Sequence, residues 1–281
     1  MSRKPSILRN PLGLALFNAL YWPYLLGTVI LLFFPGLLIY LLTFWQRPRR
    51  LLHWYTTHWA AHYLSRAPYA SLNVKGRERA LGIRSCVFVV NHQSMVDILA
   101  VYAINLQFLW VSKLENFYVP FLGWNMWMNG YVPLKRGNLA SIRRMLRSCE
   151  ARLREGANLC VFPEGTRSKT GNLKSFYRGA FWIAARNRVP IVPVIVEGTG
   201  AILSKGSAGI RPQAVMLEIL DPIYPEEAGF DDRRLRDLTF ERMGVALAKV
   251  RAERSLVLGL QGSELARIPQ DLRAADGNHE T

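Results

Sequence analysis

Acidic residues are missing from the first part of the chain. None precedes Glu78, whereas Arg3, Lys4, Arg9, Arg47, Arg49, Arg50, Arg66, Lys75 and Arg77 all do. Cysteine is scarce: three in 281 residues cannot staple a chain of this length, which excludes a disulfide scaffold. Cys86 and Cys160 lie inside apolar runs (CVFVV and LCVF) and read as buried, reduced thiols of a protein folded on the cytosolic side. Histidine is sparse where it would matter. Of five, His53, His58 and His62 share one basic connector, His279 lies near the C-terminus, and only His92 falls in the long region between. That region holds no Cys-x-x-Cys or His-x-x-x-His spacing, so no metal is expected there. The Gly-x-Ser-x-Gly elbow of serine hydrolases is also absent. GTGAILSKGS (Gly198 to Ser207) matches neither the Walker pattern nor Gly-x-Gly-x-x-Gly, which excludes the common nucleotide loops.

What is present is apolar and basic. Half the residues are hydrophobic, which excludes disorder as the main state, and 36 Lys and Arg against 20 Asp and Glu leave a net charge of +16. Such a surface suits nucleic acid, anionic lipid or an acidic carrier protein. The neighbours of the charges favour lipid. From Pro11 to Gln46 no residue is charged, and about 20 apolar residues suffice to cross a bilayer. Pro23 and Pro35-Gly36 are expected to break this run into pieces. Tyr21, Trp22, Tyr24, Tyr40 and Trp45 suit the headgroup level. Arginines flank both ends, so the positive-inside rule disfavours a single span and favours a re-entrant or in-plane helix pair with both ends cytoplasmic. The run is too long for a cleaved signal peptide, and RPRRLLHW follows it instead of a small-residue cleavage site.

The chain is therefore expected to divide into a membrane-embedded or interfacial helical segment with its connector (1–66), an α/β domain (67–255) and a mobile C-terminal tail (256–281). Strands are expected at Cys86–Val90, Phe108–Val111, Tyr131–Leu134, Leu159–Phe162, Ile191–Val196 and Ala214–Leu220. Asn138 is a good N-cap for a helix whose apolar stripe is Ile142, Met145, Leu146, Cys149 and Leu153, with Arg143, Arg144, Arg147, Arg152 and Arg154 elsewhere on it. A further helix is expected from Asp231 to Glu253. Strands alternating with helices place a site near strand carboxyl ends.

Two of those ends run into reactive residues: NHQSMVD (Asn91 to Asp97) follows CVFVV, and FPEGTRS (Phe162 to Ser168) follows LCV. An isolated histidine just past a strand is a candidate general base, because imidazole titrates near neutrality. Asp97 lies five residues on, about 140° away on a continuous helix. Only a turn at His92 leading into a helix near Asp97 would let the carboxylate orient the ring. Ser94 would be a nucleophile only if the histidine sat beside it. Arg167 offers a planar fork for bidentate anion contact, and Glu164 is either an acceptor-binding carboxylate or a structural partner of Arg167.

NHQSMVD and FPEGTRS, together with GYVPLKR (Gly130 to Arg136), VPIVPV (Val189 to Val194) and KLENFYVPFLGW, resemble the 1-acyl-sn-glycerol-3-phosphate acyltransferases of the glycerolipid acyltransferase superfamily. The blocks occur in the family's order over about Lys75 to Leu220. Pro133 departs from the usual Phe, and Lys135 from the commoner acidic residue. The resemblance implies a glycerol-3-phosphate acyltransferase-like α/β fold, a mixed sheet flanked by helices and preceded by the apolar helix pair. It implies transfer of an acyl chain from acyl-CoA or acyl carrier protein to the sn-2 hydroxyl of lysophosphatidic acid, giving phosphatidic acid, without cofactor or metal. His92 and Asp97 would be catalytic, and Lys113, Arg136 and Arg167 would bind the phosphate. Asn91, Ser94, Glu164, Gly165 and Thr166 would bind the acceptor or support the site. The expected partners are anionic membrane lipid, the lysolipid, an acyl thioester and acyl carrier protein, with no nucleic acid, at the cytoplasmic face of the inner (plasma) membrane. Another lysolipid acceptor, of lysophosphatidylcholine or lyso-ornithine type, or a non-catalytic membrane protein, are the alternatives.

Overall fold

The computed structural model describes residues 10–65, 67, 69–203 and 209–258. Seven strands form one sheet in the order β1-β7-β6-β2-β5-β3-β4. They are β1 (Ala70–Lys75), β2 (Val87–Val90), β3 (Leu109–Lys113), β4 (Val132–Leu134), β5 (Leu159–Val161), β6 (Ile191–Glu197) and β7 (Gln213–Ile219). β6, β2, β5, β3 and β4 run parallel, β7 is antiparallel to β6, and β1 is parallel to β7. Every residue of β2 and β6 is buried, which is why VFVV and the first six residues of β6, IVPVIV, run apolar rather than alternating. All six expected strands are present. β1 was not expected: ASLNVK has only Leu72 and Val74 as large apolar residues, and its burial alternates because it lies at the sheet edge.

The parallel links need crossovers, and right-handed crossovers fix which face each helix covers. α3 (Val96–Tyr102) and α4 (Leu122–Asn129) lie on one face; α5 (Leu139–Arg154) and α6 (Gly179–Asn187) lie on the other. α8 (Asp232–Leu258), reached after the short α7 (Thr199–Ile202), packs on α6, β6 and β7. The Asn138 cap is as expected, its Oδ1 accepting from Ser141 N at 2.8 Å, and Met145, Cys149 and Leu153 form the buried stripe. α8 runs past Glu253 to Leu258. The expected mobile tail lies almost wholly outside the described residues.

The apolar segment corrects an expectation. α1 (Pro11–Thr43) is one continuous helix through Pro23 and Pro35, not a pair broken at them. A proline deletes one helical hydrogen bond and can kink the helix without ending it where outside groups support it. Tyr55 Oη donates to Leu32 O at 2.7 Å beside the Pro35 gap. The partner that packs on α1 is α2 (Arg50–Ser65), formed by residues read as a connector. Its buried Leu52, His53, Thr56, Trp59, Tyr63 and Leu64 recur at helical spacing, a stripe masked in sequence by His and Thr.

α1 is long and apolar enough to cross a membrane by length and composition, yet it is fastened to the α/β domain at two separated levels. Asn18 Oδ1 accepts from Ile210 N at 2.7 Å, and Tyr21 Oη meets Tyr69 Oη at 2.8 Å. Further along, the Phe33 ring lies 5.4 Å from Phe121 and 5.7 Å from Trp124 of α4. At 1.5 Å per residue these levels are about 22 Å apart. Leu12, Leu16, Leu20, Leu31, Leu38 and Leu41 remain exposed along it.

All three cysteines are free and buried. Loss of solvation on burial raises their thiol pKa values, that of Cys149 to about 12. The folded protein should therefore not react with an aromatic disulfide reagent at about pH 8, whereas denatured chain should titrate all three thiols. A thiol that reacts at once under native conditions would contradict this packing.

Candidate active site

The site is built where β2 ends. Asn91 acts as a side-chain rung of the sheet: Nδ2 donates to Val196 O at 2.9 Å, and Oδ1 accepts from Val196 N at 2.8 Å. The chain then turns through residues 92–95 into α3, bringing Asp97 back under His92. Nδ1 of His92 lies 2.7 Å from Asp97 Oδ2. The turn thus supplies the approach that a continuous helix would deny.

Asp97 is fully buried, and a charge there is tolerated only when its oxygens are bonded. Oδ2 also accepts from Gln93 N at 2.6 Å and Ser94 N at 2.8 Å, and Oδ1 accepts from the Thr199 hydroxyl in α7. A carboxylate is an acceptor only, so Nδ1 donates in this pair and Nε2 is the ring nitrogen left for other contacts. The His92 ring, 13% exposed, stacks on Phe162 at 3.9 Å with 14° between planes. Phe162 in turn stacks on Trp110 at 5.1 Å. The His92 ring is thus held both by Asp97 and in its plane.

Ser94 is buried, and its hydroxyl donates to Leu203 O at 2.7 Å while accepting from Val96 N at 3.2 Å. It starts α3 and is committed to that role, which removes the support for a serine nucleophile. Glu164 does not pair with Arg167, the structural role weighed for it. Its Oε1 accepts from His92 N at 2.9 Å and its Oε2 from Lys174 N at 3.2 Å. Ser168 N donates to His92 O at 2.7 Å, so both backbone groups of His92 are held by the neighbouring motif. Burial pushes the Glu164 carboxyl up to about 7.

Gly165 has φ +66, and a Cβ there would lie 2.7 Å from the Tyr177 ring. Thr166 and Arg167 follow, both half-buried. Among the described residues Arg167 makes no hydrogen bond or ion pair, so its fork is free. Lys113 ends β3, exposed, with Glu115 at 3.3 Å. Arg136, two residues past β4, is exposed and likewise unpaired among the described residues.

β2, β5, β3 and β4 are parallel neighbours in that order. Their carboxyl ends therefore form a row: His92, then Gly165 to Arg167, then Lys113, then Arg136. Strand spacing makes this row about 14 Å long from β2 to β4. A base at one end and cations towards the other suit an acceptor carrying both a hydroxyl and a separate anionic group. Among the described residues no cluster of His, Cys, Asp or Glu could hold a metal ion. Sequence reading missed Thr199, whose only local signal is its position just past β6, and the backbone-holding role of Glu164.

Residues 71–197 match the family model described as Acyltransferase. The chain is 38% identical over 191 residues to the chloroplastic 1-acyl-sn-glycerol-3-phosphate acyltransferase of Brassica napus, spanning 67% of this chain and 55% of that protein. It is 31% identical over 226 residues to a 1-acyl-sn-glycerol-3-phosphate acyltransferase of Chlamydomonas reinhardtii, spanning 80% and 67%. The chain thus spans about half the length of the Brassica relative. The crystal structure of the 1-acyl-sn-glycerophosphate (LPA) acyltransferase PlsC from Thermotoga maritima is similar with a TM-score of 0.67 at 26% identity, over 90% of this chain and 97% of that one.

The raised Glu164 pKa has a signed consequence. An unfolded glutamate titrates near 4.5, so between 4.5 and about 7 the folded protein holds a proton that the unfolded chain releases. This contribution to stability is complete below 4.5 and is lost as pH rises through about 7. Denaturant unfolding across that window should show Glu164→Gln with a flatter fall in stability than wild type. Parallel pH dependences would show that Glu164 titrates normally.

Proposed function

This chain belongs to the 1-acyl-sn-glycerol-3-phosphate acyltransferase family, and from that premise we propose that it moves an acyl chain from a thioester to the sn-2 hydroxyl of 1-acyl-sn-glycerol 3-phosphate, forming phosphatidic acid. The observation that carries the reading is the His92–Asp97 pair at 2.7 Å in the same strand-end row as the unpaired Arg167. Nε2 of His92 takes the acceptor's hydroxyl proton as the oxygen attacks the thioester carbonyl. The buried Asp97 carboxylate stabilises the imidazolium that forms. Collapse of the tetrahedral intermediate expels the thiolate, which takes the same proton back, so the base is regenerated. No acyl-enzyme is required, in keeping with a Ser94 hydroxyl already engaged. Arg167, with Lys113 and Arg136 further along the row, binds the phosphate. Asn91, Ser94 and Glu164 hold the backbone that carries the base, while Gly165 and Thr166 shape the acceptor side. The donor is acyl-CoA or acyl carrier protein, and the reaction as written needs no cofactor.

The tethering of α1 supports a place at the membrane surface. A helix fastened to one domain at levels about 22 Å apart cannot stand across a hydrocarbon core of about 30 Å unless the domain sinks with it. Lying in the plane, it turns its exposed leucines to one leaflet and keeps the basic residues at both ends among anionic headgroups. The α/β domain then faces the cytoplasm from the inner membrane, where lysolipid and soluble thioester meet.

Purified full-length chain assayed with one long-chain acyl-CoA and a panel of lysolipids should prefer lysophosphatidic acid, and His92→Ala or Asp97→Asn should lose almost all turnover. Arg167→Ala should lower kcat/KM about 10- to 150-fold with the phosphorylated acceptor but little with monoacylglycerol, as expected for one charge-assisted bond. Equal losses with both acceptors would remove its phosphate role. For topology, cysteines placed at Ser2 and Ser71 should both be protected from an impermeant thiol reagent in intact cells and labelled in opened ones. Labelling of the Ser2 position from outside, with Ser71 protected, would establish a transmembrane span.

A further inference from the structure

Arg251 lies near the end of α8, far in sequence from every motif block, yet it converges on the site from behind. Its NH1 donates to Asn172 Oδ1 at 2.8 Å, its NH2 donates to Gly171 O, and its Nε donates to Glu197 Oε2 at 3.1 Å. Glu197 ends β6 and is the hub of the arrangement. The same Oε2 accepts from Gln93 Nε2 at 2.9 Å, and Oε1 faces Arg254 at 3.6 Å. Gln93 Nε2 also reaches Gly171 O at 3.3 Å. Arg251 and Glu197 are both mostly buried, with 19% and 10% side-chain exposure.

Gly171 and Asn172 belong to the irregular segment between Gly165–Arg167 and Lys174. Its other fastenings come from the motif segments themselves: Glu164 to Lys174 N, Ser168 N to His92 O, and Gln93 to Gly171 O. Arg251 supplies the tie from outside them. The contact is close, since a Cβ on Gly171, at φ +81, would lie 2.9 Å from Arg251 NH2.

We infer that Arg251 is a positioning residue for acceptor recognition: with Glu197 it holds the Gly165–Lys174 loop, and hence the unpaired Arg167 fork, against the turn that carries His92. This rests on the acyltransferase reading above and adds a residue that touches neither substrate nor the reacting atoms. Two donors of one planar group hold the loop while the third is anchored on Glu197, whereas a lysine in the same position can satisfy one acceptor well. Misplacing a binding group by about an ångström is enough to cost up to about 100-fold.

The test uses purified full-length wild type, Arg251→Gln, Arg251→Lys and Glu197→Gln, with lysophosphatidic acid and with monoacylglycerol as acceptors, alongside thermal unfolding. Arg251→Gln should raise KM for lysophosphatidic acid about 10- to 100-fold, change kcat much less, and erode the preference for the phosphorylated acceptor by a similar factor. Arg251→Lys should recover part of the loss, and Glu197→Gln should shift KM in the same direction. Unchanged KM and acceptor preference in a folded Arg251→Gln protein, whatever its melting temperature, would overturn the positioning role alone. A wild type that acylates neither acceptor would instead overturn the reading on which it rests.

Discussion

The Asp97 carboxylate has no contact with water, and most of the site's architecture answers that constraint. A buried charge needs donors on every side, and here they come from two separate pieces of chain: the turn after β2, through its imidazole and two backbone N–H groups, and a threonine from α7 just beyond β6. Meeting that demand fixes the turn, and the turn fixes the histidine. Asn91 bonding into β6 and Gly198 turning at φ +95 are the means by which the sheet delivers those donors. The Gly198 turn admits no side chain, because a Cβ there would lie 2.1 Å from Ala214 O. The His92–Asp97 pair is in this sense the visible end of a buried polar network whose members hold one another.

The sheet separates two chemistries. On one face lie the apolar helices that begin the chain, with α3 and α4; on the other lie α5, α6 and α8, rich in arginine. In the proposed reaction a lipid acceptor and a water-soluble donor meet at the carboxyl edge between these faces, without either crossing the sheet. The parallel order β2-β5-β3-β4 allows this, because it puts His92 and the cations on the same edge.

Sequence exposes the parts of this that are local. Buried strands such as VFVV, the Asn138 cap and the two motif segments declare themselves by composition and spacing. The edge strand β1 does not, since half its residues face outward and its pairing with β7 lies about 140 positions away in the chain. The rule that proline ends a helix is local as well, and it failed for α1 because tertiary contacts carry the helix past Pro23 and Pro35. Thr199, Glu197 and Arg251 were illegible for a related reason. No spacing rule connects residue 97 to 199 or 93 to 251; only the strand order does.

The two fastenings of α1 bear on the bilayer as well as on the protein. In the in-plane placement proposed above, a helix of 33 residues, about 50 Å long, would act as a wedge in one monolayer. It adds area to that monolayer alone, so its insertion is easier where lipids are loosely packed or the surface is convex. Lysolipids, with one chain beneath a full headgroup, create such packing defects. If the proposed activity holds, accumulating lysolipid would draw the protein to the membrane, and its conversion to a two-chain product would relax the defects that hold it there.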